Sequence, residues 1–305
     1  MTTASSLPEA LQPIGCVGLG IMGAPMTRNL LRAGADIRVW ARRAEAAESL
    51  VAEGAGAASS LAELVSSVRV LVLNVSDTPD VEQLMLGPDG VLEHARPGLL
   101  VVDHSTIDPI RTRAIAQAAA EREVVFVDAP VSGGEPGARS GTLSLMVGGP
   151  EEAVDRLRPI FDIVGSTLTH VGASGAGQIT KACNQLVVGE TLVAIGEAFA
   201  LAEQTGVDPA RLREALMGGF AASRILEVHG QRLLDGDFEP GFQAGLYHKD
   251  LGIVAGLGEQ VGLSLDGLEP VRHAVDKALA AGQADHDVAI LARFCLHARG
   301  EGTRD

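Results

Sequence analysis

The chain has 305 residues with a formal net charge of −15, from 24 Lys and Arg against 39 Asp and Glu, so basic surface is scarce and nucleic acid is a poor partner. Hydrophobic residues make up 46% and charged residues 21%, which excludes disorder as the main state and, at this length, suggests about two domains. With only 7 Phe, 1 Trp and 1 Tyr, the core must be aliphatic, and the stacking platforms that single-stranded nucleic acid needs are missing.

In chain order, residues 1–12 lack both the positive start and the apolar stretch of a secretory signal and read as a flexible extension. From Pro13 to about His170, β-rich runs alternate with helical stretches, the pattern of a doubly wound parallel sheet covered by helices. The predicted strands are Ile14–Val17, Ile37–Val39, Val68–Leu73, Leu99–Asp103, Val124–Asp128, Ser144–Val147 and Ser166–His170. Helices are predicted at Met26–Arg32, Ala44–Ala52, Leu61–Val65, Ile110–Glu121 and Glu151–Phe161. After Gly172-Ala-Ser-Gly175 the β-runs stop, and Ala176–Thr205 contains no proline, which permits one helix of about 30 residues and on the order of 45 Å. Gly206-Val-Asp208-Pro209 ends it and caps the next helix. The long helix reads as apolar around most of its circumference and so needs cover on all sides, from another domain or a second subunit. Its most apolar part, Leu186–Leu201, is interrupted by Glu190 and Glu197 and is too short to span a bilayer, so no membrane partner is expected.

Gly18-Leu19-Gly20-Ile21-Met22-Gly23 follows the first strand directly and opens a helix. In that setting the glycines serve a tight turn, close approach to a pyrophosphate and close helix packing, while the helix N-terminus offers N–H groups and partial positive charge. At the end of the second strand, where an acid would bind the ribose diol of NAD, the chain has Ala41-Arg42-Arg43. Two guanidinium groups there suit a 2′-phosphate, which favours NADP with NAD still open; the plainer reading is a pair of solvated arginines at a helix start.

Asp128-Ala-Pro-Val-Ser132-Gly133-Gly134 leaves a strand end and can present a hydroxyl and backbone N–H groups to a carboxylate, or form a plain glycine turn. Lys181 shares a helix face with Gln178, Asn184 and Gln185. Near the positive end of a helix and partly desolvated, its amine is suited to proton exchange near neutrality, although most helix lysines are solvated side chains. Lys249, in His248-Lys249-Asp250, could reach an anion or belong to an ordinary surface charge patch. No metal site is expected: the histidines show no HxxxH, and Cys16, Cys183 and Cys295 have no ligand spacing and read as reduced cytoplasmic thiols.

Five motifs occur together and in order: Gly18-x-Gly20-x-x-Gly23-Ala-Pro-Met26; Asp103-His-Ser105-Thr106; Asp128-Ala-Pro-Val-Ser-Gly-Gly134 with Gly137-Ala-Arg-x-Gly-Thr-Leu143; Gly175-Ala-Gly-Gln178-x-x-Lys181-x-x-Asn184-Gln185; and Lys249-Asp250-Leu251. Together they resemble the β-hydroxyacid dehydrogenases, the family of 3-hydroxyisobutyrate dehydrogenase and tartronate semialdehyde (2-hydroxy-3-oxopropionate) reductase, from Ile14 to about His297. The resemblance implies a Rossmann-type domain, here 13–172, and an all-helical substrate and oligomerisation domain, 173–305, joined by the long helix, with a cleft between them and a homodimer or homotetramer as the assembly. It also implies roles: Lys181 as acid/base, Ser132, Gly133 and Gly134 on the substrate carboxylate, and Asn184 with Gln185 orienting the reacting group. Val75, Ser76, Thr106 and Lys249 would line the cofactor beside the Gly18–Gly23 turn.

The expected activity is hydride transfer between NADP(H) and a small 3-hydroxyacid or its semialdehyde. The Ser-Gly-Gly wording and Gln185 lean toward tartronate semialdehyde, whereas the family's frequent Asn-Arg-Thr is replaced by Ala41-Arg42-Arg43. The alternatives are an imine reductase on the same fold, against which Lys181 counts, and a non-catalytic NADP-binding interaction protein.

Overall fold

The computed structural model describes Leu7–Phe294. The chain divides into two compact units between Lys181 and Ala182, inside the long helix. Residues 1–6 and Cys295 lie outside the described residues. Leu7–Gln12 are not a loose extension: Leu7 and Leu11 are 6% and 4% exposed, in the same apolar cluster as Ile14.

Among the described residues the first unit holds nine strands, β1 (Ile14–Val17), β2 (Ile37–Trp40), β3 (Gly56–Ala57), β4 (Val70–Leu73), β5 (Leu100–Asp103), β6 (Val125–Asp128), β7 (Val131–Ser132), β8 (Leu143–Gly148) and β9 (Gly165–Gly172). They form one sheet ordered β3-β2-β1-β4-β5-β6-β8-β7, with β9 beside β8. Strands β1, β4 and β5 are buried along their whole length, as continuous apolar runs covered on both faces should be. The alternation of side chains sorts them into two cores. Ile14, Cys16, Val70, Val72, Leu100 and Val102 lie in one cluster, and Val17, Leu71, Leu73, Val101 and Phe126 in the other. The Cys16 thiol is pushed up to about 12 by burial, which makes it an inert packing group.

The sheet is mostly parallel and not wholly so: β8 runs antiparallel to β6 and β7, while β9 returns parallel to β8. The short β3 and β7 and the helices Thr78–Leu86, Val91–His94 and Gly134–Ser140 add to the predicted elements. Pro and three Gly in Gly133-Gly-Glu-Pro-Gly137 hide the last helix, which Gly133 and Gly134 enter at φ 132° and 61°, values that favour glycine.

The long helix runs Ala176–Gln204. Its cap comes from far away in sequence, since the Asp128 carboxylate at the end of β6 accepts the N–H groups of Gly175 (2.8 Å) and Gln178 (3.0 Å). The helix carries one exposed and mostly apolar stripe, formed by Cys183, Val187, Glu190, Ala194, Glu197 and Leu201. By length and hydropathy alone it could cross a membrane, contrary to the reading from Leu186–Leu201, but its buried Gln178 and Gln185 are hydrogen-bonded within the protein as in a core helix.

In the second unit the helices Pro209–Met217, Arg224–Asp235, Ala244–Val261, Leu268–Ala280 and Leu291–Phe294 follow. Asp208 caps the first as expected, accepting the N–H of Ala210 beside Pro209. Tyr247, Leu251, Val271 and Val275 are central to the core, with Leu192 and Val193 of the long helix.

Candidate active site

Parallel register aligns the ends of five strands: Trp40 pairs Val17, Val17 pairs Leu73, Leu73 pairs Asp103 and Asp103 pairs Asp128. Each of these strands therefore delivers its next residues to one edge of the sheet: Arg42 and Arg43, the turn Gly18–Gly23, Val75 and Ser76, Thr106, and the segment leading to Ser132. The strand order reverses between β1 and β4, where such sheets bind ligands.

The turn fits a dinucleotide. Gly18 has φ 86°, and a Cβ there would lie 2.0 Å from the Asn74 carbonyl oxygen; one at Gly23 would lie 1.9 Å from that of Gly18. At Gly20 a Cβ would meet nothing within 4 Å. The outer glycines are thus required by the chain's own backbone, while the middle one faces open space where a pyrophosphate can approach. Gly20 and Ile21 are exposed, Leu19 and Met22 half-buried. Met22, at the helix N-cap, supplies no side-chain cap, which leaves that role to a bound anion.

Arg42 and Arg43 are both exposed just beyond β2. Arg42 pairs with Asp80 at 3.2 Å, a partner on the helix after β4 that local sequence does not reveal. Val75 is half-buried and Ser76 exposed.

The loop after β5 connects these segments. Ser105 N–H donates to Asp103 Oδ1 (2.9 Å) and Val75 N–H donates to Ser105 Oγ (2.9 Å), so Ser105 holds the loop that follows β4. His104 is 3% exposed, with Nδ1 2.7 Å from the Ala129 carbonyl. That carbonyl requires Nδ1 to be the donor. Burial pushes His104 down to about 4, so it is neutral and ties the loop after β5 to the segment carrying Ser132. Thr106 is half-buried in the same loop.

Ser132 closes β7 half-buried, and Gly133 is exposed at the start of the helix Gly134–Ser140. Lys181, two turns into the long helix, is only 8% exposed, so it is not the solvated lysine that base composition favours. Burial pushes the Asp128 carboxyl, which caps that helix, up to about 6 against the N–H groups that bond it.

In the second unit Asn184 Nδ2 donates to Gln185 Oε1 (2.8 Å), and Gln185 Nε2 donates to Asp250 Oδ2 (2.7 Å). Lys249 Nζ lies 3.1 Å from Asp250 Oδ1. One carboxylate, 3% exposed, therefore fixes Gln185 and Lys249 together. Lys249 is on the helix Ala244–Val261. Gln185 is 2% exposed, with both ends of its carboxamide engaged, so its polar influence passes through Asn184. Tyr247 Oη donates to the Gln185 carbonyl at 2.7 Å.

Sequence reasoning passed over Tyr247 and missed the anchoring roles of Asp250, His104 and Ser105. One signal was available. Lysine is rare, at three positions among 24 basic residues, and two of the three, Lys181 and Lys249, are the candidate site lysines. Among the described residues Asp89, Glu93 and His94 bring ligand-type atoms within 4.8 Å, but on an exposed turn that is braced by Glu93 accepting the Asp89 N–H.

Two family descriptions match: the NAD binding domain of 6-phosphogluconate dehydrogenase over residues 13–172, and the NAD-binding domain of NADP-dependent 3-hydroxyisobutyrate dehydrogenase over residues 175–295. The chain is 40% identical to 2-hydroxy-3-oxopropionate reductase of Escherichia coli (strain K12), over 92% of this chain and 96% of that one. It is 38% identical to 3-hydroxyisobutyrate dehydrogenase of Pseudomonas aeruginosa, over 79% and 83% of the two chains. The structure of 3-hydroxyisobutyrate dehydrogenase from Mycobacterium tuberculosis with L-serine superposes with a TM-score of 0.85 at 32% identity, covering 92% of this chain and 97% of that one. Taken with the glycine turn at the strand reversal and the buried lysine beyond it, these similarities establish that the chain belongs to the β-hydroxyacid dehydrogenase family, as an NAD(P)-dependent enzyme.

Proposed function

We propose that the enzyme transfers hydride reversibly between NADP(H) and a small 3-hydroxyacid/semialdehyde pair, with tartronate semialdehyde as the favoured carbonyl substrate. The observation that carries this reading is Lys181, a buried amine on a helix whose first turn is capped from the same strand edge that bears the glycine turn. When bound, the nicotinamide supplies or accepts the hydride. Lys181 Nζ gives its proton to the carbonyl oxygen as negative charge develops there, producing the alcohol, and takes a proton back from solvent; in oxidation it receives the hydroxyl proton. Ser132 Oγ and the N–H groups of Gly133 and Gly134 hold the substrate carboxylate, and Asn184, steadied by Gln185, orients the reacting group. Gly18–Gly23, Val75, Ser76, Thr106 and Lys249 contact the cofactor, and Arg42 with Arg43 receives its 2′-phosphate in preference to an NAD ribose.

The test is a spectrophotometric screen of NADPH and NADH oxidation with tartronate, methylmalonate and succinic semialdehydes, glyoxylate and a cyclic imine. Fastest turnover is expected with NADPH and tartronate semialdehyde. Turnover of the imine with none of the semialdehydes would replace this reading by an imine reductase.

A homodimer or homotetramer formed through the helical unit is part of the proposal, supported by exposed Val187 (61%), Leu201 (67%) and Phe220 (110%). Light scattering should return a multiple of 31.5 kDa, and a monomer at micromolar concentration would refute it. A cytoplasmic location is supported by the free thiols of Cys16 and Cys183, and recovery of the activity outside the cytosolic fraction would count against it.

A further inference from the structure

Gln178 is 1% exposed and lies one turn before Lys181 on the same helix face. Its Oε1 accepts the N–H of Ile107 at 3.1 Å, and its Nε2 donates to the carbonyl of Ser105 at 2.8 Å. A backbone N–H can only donate and a carbonyl can only accept, so these partners fix which way the carboxamide points. Its own N–H donates to Asp128 Oδ2 at 3.0 Å. The first turn of the helix is thus pinned at three points, to the loop after β5 and to the end of β6. The pinned loop is itself braced, through Ser105, to Asp103 and Val75.

We propose that Gln178 is a positioning residue for Lys181: its carboxamide sets the rotation and height of the helix start against the loop after β5, and so places the amine. The proposal rests on Lys181 being the acid/base. Helix ends fray and adjust easily when unpinned, and misplacement of a reacting group by about 1 Å can cost on the order of 10²-fold in rate. A side chain that merely filled space would be replaceable by an apolar one of equal length, whereas one that positions through two directed hydrogen bonds would not.

The test compares wild type, Gln178→Met and Gln178→Glu. Met keeps the length, adds no charge and makes neither bond. Because the chain has only three lysines, Lys181, Lys249 and Lys277, protein labelled with 13C and 15N at lysine gives three side-chain signals, assigned by substitution. In Gln178→Met, the Lys181 signal should shift and titrate differently while that of Lys277 stays, and kcat should fall on the order of 10²-fold. In Gln178→Glu, only the protonated carboxyl can both accept from Ile107 and donate to Ser105, so its kcat relative to wild type should rise as pH falls.

An unmoved Lys181 signal in Gln178→Met, whether or not kcat falls, overturns the proposal, as does a kcat within about twofold of wild type. Should Gln178→Met not fold, a pH-independent rate ratio for Gln178→Glu overturns it. A wild-type enzyme inactive on every semialdehyde would refute the proposed reaction, while the Lys181 signal would still decide whether Gln178 places that amine.

Discussion

At the scale of single residues, space and direction decide more than residue type. Two helical glycines illustrate this. A Cβ at Gly189 would sit 2.2 Å from Tyr247 Oη, the same hydroxyl that bonds the Gln185 carbonyl, while a Cβ at Gly252 would meet nothing within 4 Å. Helix propensity alone favours Ala over Gly at both positions by about 1 kcal/mol. Gly252→Ala should therefore raise the melting temperature, and Gly189→Ala should lower it by displacing the chain's single tyrosine from beside Gln185. Thermal melts of the two variants check this, and stabilisation by both would contradict the packing around Tyr247. The glycine turn was legible here because only one residue type fits the fixed context at Gly18 and Gly23. The Arg42–Asp80 pair and the partners of Gln178 were hidden, because they lie on other strands and, for Gln178, are main-chain atoms that any residue would supply.

At the scale of elements, the strands that central burial makes apolar, such as Val70–Leu73 and Leu100–Asp103, could be read directly. The reversal of β8 could not, since parallel and antiparallel strands share the same two-residue alternation. Connections between helices depend on buried charge that no local pattern announces. Asp287, 1% exposed, lies 2.8 Å from Arg232 Nη1 and accepts the N–H groups of Gly241, Phe242 and Ala289, which ties the helix Arg224–Asp235 to the segment after it. Burial raises its carboxyl, but the nearby His229 ring and the N–H groups of Ala289 and Phe242 outweigh burial and hold it below the usual carboxylate range. A lowered carboxyl contributes stability fully above the unfolded value near 4 and loses it as pH falls through the folded one. Asp287→Asn should therefore cost about 3 kcal/mol at neutral pH. Denaturant titrations at neutral and acidic pH should show that difference shrinking below about pH 4, and a constant or growing difference would contradict the account.

At the scale of the whole molecule, the two units divide the work differently. The first carries the glycine turn, the loops after β4 and β5, Ser132 and Lys181, and the second holds Gln185 and Lys249 on a single carboxylate, with Asn184 bonded to Gln185. The two-part organisation was legible because β-runs stop at Gly175, yet the long helix belongs to both units, and the break falls at Lys181 itself. The substrate was less legible, since Ser132 and its neighbours specify a carboxylate and not the rest of the molecule. The central claim concerns one amine. The most direct measurement is the kcat for NADPH oxidation by tartronate semialdehyde in Lys181→Ala beside wild type, with NADPH affinity determined in both. The account predicts a loss of ~10²-fold or more in kcat with cofactor binding intact. Full turnover by the variant would contradict it.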